Sequence, residues 1–324
     1  GVAANMYAGP ALALSFILAG VGCLFAALCY AEFASILPVS GSAYAYSYGT
    51  VGEFFAWFIG WNLILEYMMA ATTVAVSWSK YFIKLLHLSG IHDIPLWLIT
   101  DPVTAKEEAL TLGIAAPSFS INLPAGVIVW LVTYILFKGI KESAKTNNII
   151  VCIKVSAVLF VIACGAFYIN PANWHPFVPA ETIDNSGSHH YGIAGVVTAA
   201  GILFFAFIGF DAVSTQSQEA VNPTKDIPFA IIASLIICTT LYILVSVVLT
   251  GMVKYTDIDL GAPVAAAFGS IGLTWASILI TIAAVVGLIS VMLVMLLSQT
   301  RIFLNMAKDG LLPEKMFGTI HPVY

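Results

Sequence analysis

Ala206-Phe207-Ile208-Gly209-Phe210-Asp211 is the stretch on which the fold turns. An apolar run from Gly192 to Phe205 precedes it, and Ser214-Thr215-Gln216-Ser217-Gln218-Glu219 follows, ending at Asn222-Pro223. A glycine-centred join between an apolar half and an amphipathic half is the pattern of a discontinuous membrane helix, whose freed carbonyls can bind a cation or an ammonium. Glycine also serves plain close packing between membrane helices, so the stretch has to be weighed with the rest of the chain.

Outward from that stretch the composition is that of a bilayer protein. Of 324 residues, 60% are apolar and 9% charged, against roughly 45–50% and about 25% in soluble domains. Mean hydropathy is +0.97. With 12 Lys+Arg, 17 Asp+Glu and a net charge of -5, the chain can neither cover a soluble globule with charge nor offer a basic patch to nucleic acid. Uncharged runs at 1–31, 109–137, 155–180, 185–210, 227–253 and 260–300 are helix-length and too continuous for barrel strands. The expected fold is an all-α membrane bundle forming one domain, with spans near 9–37, 53–80, 122–138, 145–169, 193–219, 227–253 and 273–301. Gly269 and Gly272 divide the last long run into a short outer helix and a span.

Orientation follows from Lys and Arg. Lys138, Lys141, Lys145, Lys225, Arg301, Lys308 and Lys315 fall on one side, and Lys80, Lys84, Lys106 and Lys254 on the other, so the first side reads as cytoplasmic. Gly1 then lies outside without a signal peptide, and His321-Pro322-Val323-Tyr324 falls within a cytoplasmic loop. The chain therefore reads as a piece of a longer multi-pass protein of the plasma (inner) membrane. Five cysteines all sit in apolar segments without a CxxC, and read as packing residues rather than a metal site. His189-His190 read as solvated, and the aromatic loop Ser40 to Gly49 as packed against a neighbour. Thr50-Val51-Gly52-Glu53 resembles a potassium filter only in part, with glutamate in place of tyrosine and on the cytoplasmic side. There is no GxxxxGK[ST], and no HExxH or Ser-Lys pair within a span, so neither ATP hydrolysis nor an enzyme is indicated.

Ionisable groups within spans are few, and each costs about 2.5–3.5 kcal/mol to insert. They are Glu32, Glu66, Lys154 and Asp211. Glu66 lies about 20 Å along a helix from Glu53, near mid-bilayer. Lys154 lies about 10 Å inside the cytoplasmic end of its span, where an amine can lose and regain a proton near neutral pH. Two plainer readings stand beside that one: snorkelling of Lys154 to the interface, and a static ion pair with Glu66.

Together these residues resemble the amino acid-polyamine-organocation superfamily, and within it the cationic amino acid transporter branch of bacterial type. The strings that carry the resemblance are Ala27-Leu28-Cys29-Tyr30-Ala31-Glu32, Pro38-Val39-Ser40-Gly41-Ser42-Ala43-Tyr44, Gly60-Trp61-Asn62-Leu63-Ile64-Leu65-Glu66-Tyr67, Phe207-Ile208-Gly209-Phe210-Asp211, and Arg301 followed by Met306-Ala307-Lys308-Asp309-Gly310. The resemblance implies a LeuT-like inverted-repeat bundle, in which the seven spans correspond to family helices two to eight. The first helix and helices nine onward would be missing. It also implies that Phe205, Ala206 and Ile208 turn backbone carbonyls to a substrate ammonium. Lys154 would stand where related carriers hold a second sodium ion, with Glu66 and Tyr242 completing a polar network. Met295 would line the side-chain pocket and favour small neutral amino acids such as alanine.

The expected activity is then proton-coupled amino acid transport by alternating access, with the proton as coupling ion and no cofactor. A carrier or exchanger of arginine and lysine is the alternative, and an ion channel is the rival of a different class. The expected partners are the substrate, the bilayer and a small single-span membrane protein.

Overall fold

Hydrocarbon offers no hydrogen-bond partner to a peptide group, so long uncharged runs must satisfy their backbone within helices. The computed structural model describes residues 1–37, 39–91, 93–138, 144–183 and 189–319, with the backbone alone at 107, 111–112, 138, 144–149, 216 and 218–219. Pro38, Lys141 and His321 to Tyr324, all used in the sequence reading, lie outside the described residues.

Helical turns at Ala3–Ala8 and Gly9–Ala11 lead into α1 (Leu12–Ile36), followed by α2 (Ser42–Thr50) and α3 (Glu53–Leu88). Two short helices, α4 (Leu96–Ile99) and α5 (Pro102–Leu112), precede α6 (Leu123–Lys138) and α7 (Ala144–Ala166). A two-residue antiparallel pair follows, β1 (Thr182–Ile183) against β2 (His189–His190), with Thr182 opposite His190. Then come α8 (Gly192–Leu203), tight helical segments at Phe204–Phe207 and Asp211–Glu219, and α9 (Pro223–Met252). The described chain closes with α10 (Pro263–Ser270), α11 (Thr274–Lys308) and α12 (Glu314–Phe317).

Five stretches are long and apolar enough to cross a membrane: Ala3–Ile36, Glu53–Leu88, Gly192–Thr215, Pro223–Met252 and Thr274–Lys308. The third and fourth expected spans are shorter as apolar helices, Leu123–Phe137 and Ile150–Ala166. The segment expected as a loop at 40–49 is largely helical. Gly41 precedes α2, and Tyr44 and Tyr46 bury their rings, which stabilises one short helix where composition alone suggested a turn. Between α10 and α11 the chain turns at Gly272, where φ is +83°.

The two most extensive helix pairings are α3 with α11 and α1 with α9. Small residues let backbones approach where apolar association gains nothing from excluding water. At Gly60 of α3, a Cβ would come within 2.6 Å of Met306 Sδ on α11, so a side chain there would force Met306 to shift. Ala56, Leu63, Tyr67 and Ala70 continue this seam against Ile302 and Met306. Large apolar side chains such as Leu18, Phe25 and Ile237 stand exposed, as lipid-facing residues do.

The histidine pair is not merely solvated. The His189 ring pairs with Glu181, while His190 Nδ1 lies 2.7 Å from the Met6 carbonyl and its ring stacks on Tyr7. Strand pairing sets His190 opposite Thr182 and beside Met6 and Tyr7, where Tyr191 Oη also donates to Asn5 O at 2.6 Å. On the loop side, Asp101 caps α5 by accepting from Val103 N and Thr104 N, both at 3.0 Å. Hydrogen bonds from the Thr104 hydroxyl and backbone hold that carboxyl below its ordinary range.

Candidate functional site

The site forms where α8 stops. After Leu203 the backbone tightens through Phe204–Phe207, extends at Ile208 (φ -53°, ψ 130°) and passes Gly209 with φ +113° before Asp211–Glu219 resumes a tight helix. A side chain at Gly209 would be strained, and a Cβ there would lie 3.1 Å from Met295 Cε. Glycine thus provides both the turn and the closeness of α11.

Around the break lies a cavity of about 380 Å³, within the usual size of small-molecule sites. Ala206, Ile208, Lys154, Tyr242 and Met295 all line it, contributed by the break, α7, α9 and α11. Five of the seven expected site residues therefore converge, although up to 141 positions separate them in sequence, as Lys154 and Met295 do. Tyr242 Oη donates to the Ala206 carbonyl at 3.0 Å, which ties α9 to the broken segment. Lys154 Nζ donates to Ser290 Oγ, which in turn donates to Gly287 O at 3.0 Å. Met295, Val291 and Val294 supply an apolar wall.

Phe205 and Glu66 do not join them. Phe205 is exposed, and its carbonyl already accepts from Ile208 N at 3.3 Å. Glu66 is half-buried on α3, with Asp211 as its charged neighbour. Among the described residues Lys154 has no carboxylate within 4 Å, so the static pair with Glu66 is absent. Glu66 on α3 has its charged neighbour in the segment after the break, while Lys154 on α7 meets Ser290 on α11.

A second polar centre occupies that lower half. Asp211 is 4% exposed, and its Oδ2 accepts from Tyr67 Oη at 2.5 Å and from Ser42 Oγ at 3.2 Å. Nearby, Tyr44 Oη donates to Asp309 Oδ2 at 2.7 Å, Arg301 Nη1 donates to Thr215 O at 2.9 Å, and Asn305 Nδ2 donates to Ser40 O. Burial, then the Asp309 carboxylate that it faces, hold the Tyr44 hydroxyl well above the ordinary tyrosine range. These bonds close the bundle below the cavity by fastening α2, α3 and α11 to the segment after the break.

Sequence reading named Asp211 as an ionisable group in a span but gave it no role, and it missed Ser290 and Ser42. Serine is common in membrane helices, so nothing at Ser290 signals its partner. The motif Ser40-Gly41-Ser42-Ala43-Tyr44 did contain the residues that reach Asp211 and Asp309, and that was the available clue.

Comparison with known proteins follows the same lines. Residues 1–323 match the family model described as amino acid permease. The chain is 47% identical to a branched-chain amino acid permease of Bacillus subtilis (strain 168), over 97% of its own length and 63% of the relative's. It is 44% identical to a methylthioribose transporter of the same organism, over 100% of its length and 65% of that protein's. With cationic amino acid transporter 9, chloroplastic, of Arabidopsis thaliana it shares 40% identity over 97% of its length and 52% of the relative's. The chain thus spans less than two thirds of each of these relatives.

Proposed function

The chain belongs to the amino acid permease family, and from that premise we propose that it forms the core of a proton-coupled amino acid carrier working by alternating access. The observation that carries this reading is the cavity at the helix break, where the Lys154 amine meets one hydroxyl, from Ser290, and no carboxylate within 4 Å among the described residues. An amine held this way is not locked into a static pair, so its proton can be exchanged as the cavity opens to either side. The proton then serves as coupling ion, and no cofactor takes part.

The substrate ammonium meets the broken segment at Ala206 and Ile208, where the end of a helix presents carbonyl oxygen. Tyr242 keeps the Ala206 carbonyl in place. The apolar wall of Val291, Val294 and Met295, without an acidic side chain among the cavity's lining residues, favours a neutral side chain over arginine or lysine. Alanine and other small neutral amino acids are the proposed substrates. A branched side chain is the second reading, favoured by that same wall and by the printed name of the Bacillus subtilis permease. The seven helices α1, α3, α6, α7, α8 with its continuation, α9 and α11 form one transmembrane domain, corresponding to helices two to eight of a LeuT-like inverted repeat in the plasma membrane. A small single-span protein is a candidate partner on the lipid-facing surface.

Reconstitution in liposomes with an inside-alkaline gradient tests the reading. Labelled alanine is to be competed by valine, leucine, arginine and lysine, with the chain tested alone and with the flanking segments of a relative supplied. Accumulation that a protonophore abolishes, competed by neutral but not cationic amino acids, is expected. Competition by arginine and lysine would replace the neutral reading with the cationic one. Flux far above carrier turnover and independent of Lys154 would indicate a channel.

A further inference from the structure

Beside the break, α9 gives the central cavity a wall of which the transport reading uses Tyr242 alone. Ser234, Leu235, Cys238 and Tyr242 all line the cavity, at intervals of three and four residues that place them on one face of the helix. Tyr242 fixes a level on that face, because its Oη donates to the Ala206 carbonyl at 3.0 Å. Cys238 stands one turn nearer the Pro223 end of α9, about 6 Å along the axis. On the opposite element, Met295 Cε lies 3.1 Å from where a Cβ on Gly209 would sit, three residues beyond Ala206 along the break.

The two walls are held by separate packing. Leu235 belongs to one apolar cluster with Phe207 and Ile231, and Met295 to another with Tyr67, Ala212 and Ile302, yet both border the same cavity of about 380 Å³. Hydroxyl protons on the α9 wall are already spent, since Ser234 Oγ donates to Ile231 O at 3.0 Å and Tyr242 Oη to Ala206 O. Cys238, a half-buried free thiol, is the small, soft group between them. An ammonium and the tip of a leucine side chain are four bonds apart, about 5 Å. A side chain that leaves an ammonium at the Ala206 carbonyl and follows the break towards Gly209 therefore ends at the level of Cys238, with a thioether on its other side.

We infer that Leu235 and Cys238 are specificity-determining residues: with Met295 they bound the side-chain end of the cavity and set the longest neutral side chain it accepts at about that of leucine. The place of the ammonium rests on the transport reading; the wall itself rests on the cavity and its lining.

The protein is reconstituted in liposomes and treated with N-ethylmaleimide, with alkylation at each cysteine followed by mass spectrometry in the presence of alanine, leucine or phenylalanine. Alkylation of Cys238 is expected to slow several-fold with leucine, less with alanine and not with phenylalanine, while Cys29 and Cys152, exposed on α1 and α7, keep their rates. In Cys238→Leu, KM for leucine should rise about tenfold more than KM for alanine. Leu235→Ala should let phenylalanine compete for uptake. Should neither variant fold, the alkylation pattern of the parent decides alone. Absence of alkylation at Cys238 overturns the inference, as does alkylation that no amino acid slows, equal slowing by leucine and phenylalanine, or an unchanged ratio of KM values in Cys238→Leu. Protection by leucine without uptake of any amino acid keeps the wall and overturns the transport reading; proton-driven alanine uptake with Cys238 unprotected does the reverse.

Discussion

Lys154 and Asp211 are both ionisable side chains inside the helical bundle, and their surroundings are opposite. The Asp211 carboxylate receives two hydroxyls, from Tyr67 and Ser42, that lie 144 and 169 positions away in the chain. Lys154 donates to one hydroxyl and faces a cavity of about 380 Å³. A buried charge with partners from several elements fastens those elements together; one with a single partner beside open space is free to change state. On the proposed reading, fastening falls to the lower centre and coupling to the upper one, and the broken segment from Phe204 to Asp211 joins them.

The strongest way to break this contrast is at Lys154. One proton carried down a gradient of one pH unit is worth about 1.4 kcal/mol, or about tenfold accumulation. Lys154→Ala is expected to lose all of that accumulation in liposomes while exchange or binding persists in part, and Lys154→Arg should block the cycle by fixing the charge. Unchanged pH dependence of uptake in either variant would remove the coupling role.

Asp211 tests the other side. Asp211→Ala leaves the buried Tyr67 and Ser42 hydroxyls without their acceptor, at roughly 1–3 kcal/mol for each group left unsatisfied. A clear drop in the thermal unfolding midpoint in detergent is expected, with a smaller drop for Asp211→Asn, which keeps an acceptor oxygen. Equal midpoints for Asp211→Ala and the parent would deny the fastening role.

Gly209→Ala probes the join between the two centres. Alanine at this positive φ costs more than about 1 kcal/mol, and its Cβ would press on Met295 Cε at 3.1 Å. Transport is expected to fall more than stability does, so uptake and unfolding measured on the same preparation should separate. The smallest effect is expected at the pocket wall. Met295→Ser should keep turnover on alanine while admitting longer or charged side chains in a competition panel; an unchanged profile would return Met295 to simple packing.

Much of the architecture was legible because the bilayer forces it. Long uncharged runs have few options other than helix, and a Gly-centred change from apolar to amphipathic at Phe205 to Asp211 marks the break whatever the neighbours are. Lys154 stood out because an amine at that depth is costly. Side-chain convergence was not legible to the same degree. Glu66 and Lys154 were both placed within the bilayer by depth, and depth carries no rotation about the helix axis, so sequence joined two residues that make no ion pair in the bundle. Ser290 and Ser42 matter only because α11 and α2 bring them to Lys154 and Asp211. The short helix α2 escaped notice because Gly41, Gly49 and Gly52 read as turn signals, while the burial of Tyr44 and Tyr46 that outweighs them is a tertiary effect. His189 and His190 were misread for a similar reason, since a two-residue strand pair leaves no periodicity to find.

The most direct test of the central claim is uptake of labelled alanine into liposomes under an inside-alkaline gradient, with the parent protein and Lys154→Ala measured side by side and the flanking segments of a relative supplied. The account predicts protonophore-sensitive accumulation by the parent and equilibration without accumulation by the variant. Accumulation by Lys154→Ala equal to that of the parent, with the same dependence on the pH gradient, would contradict it.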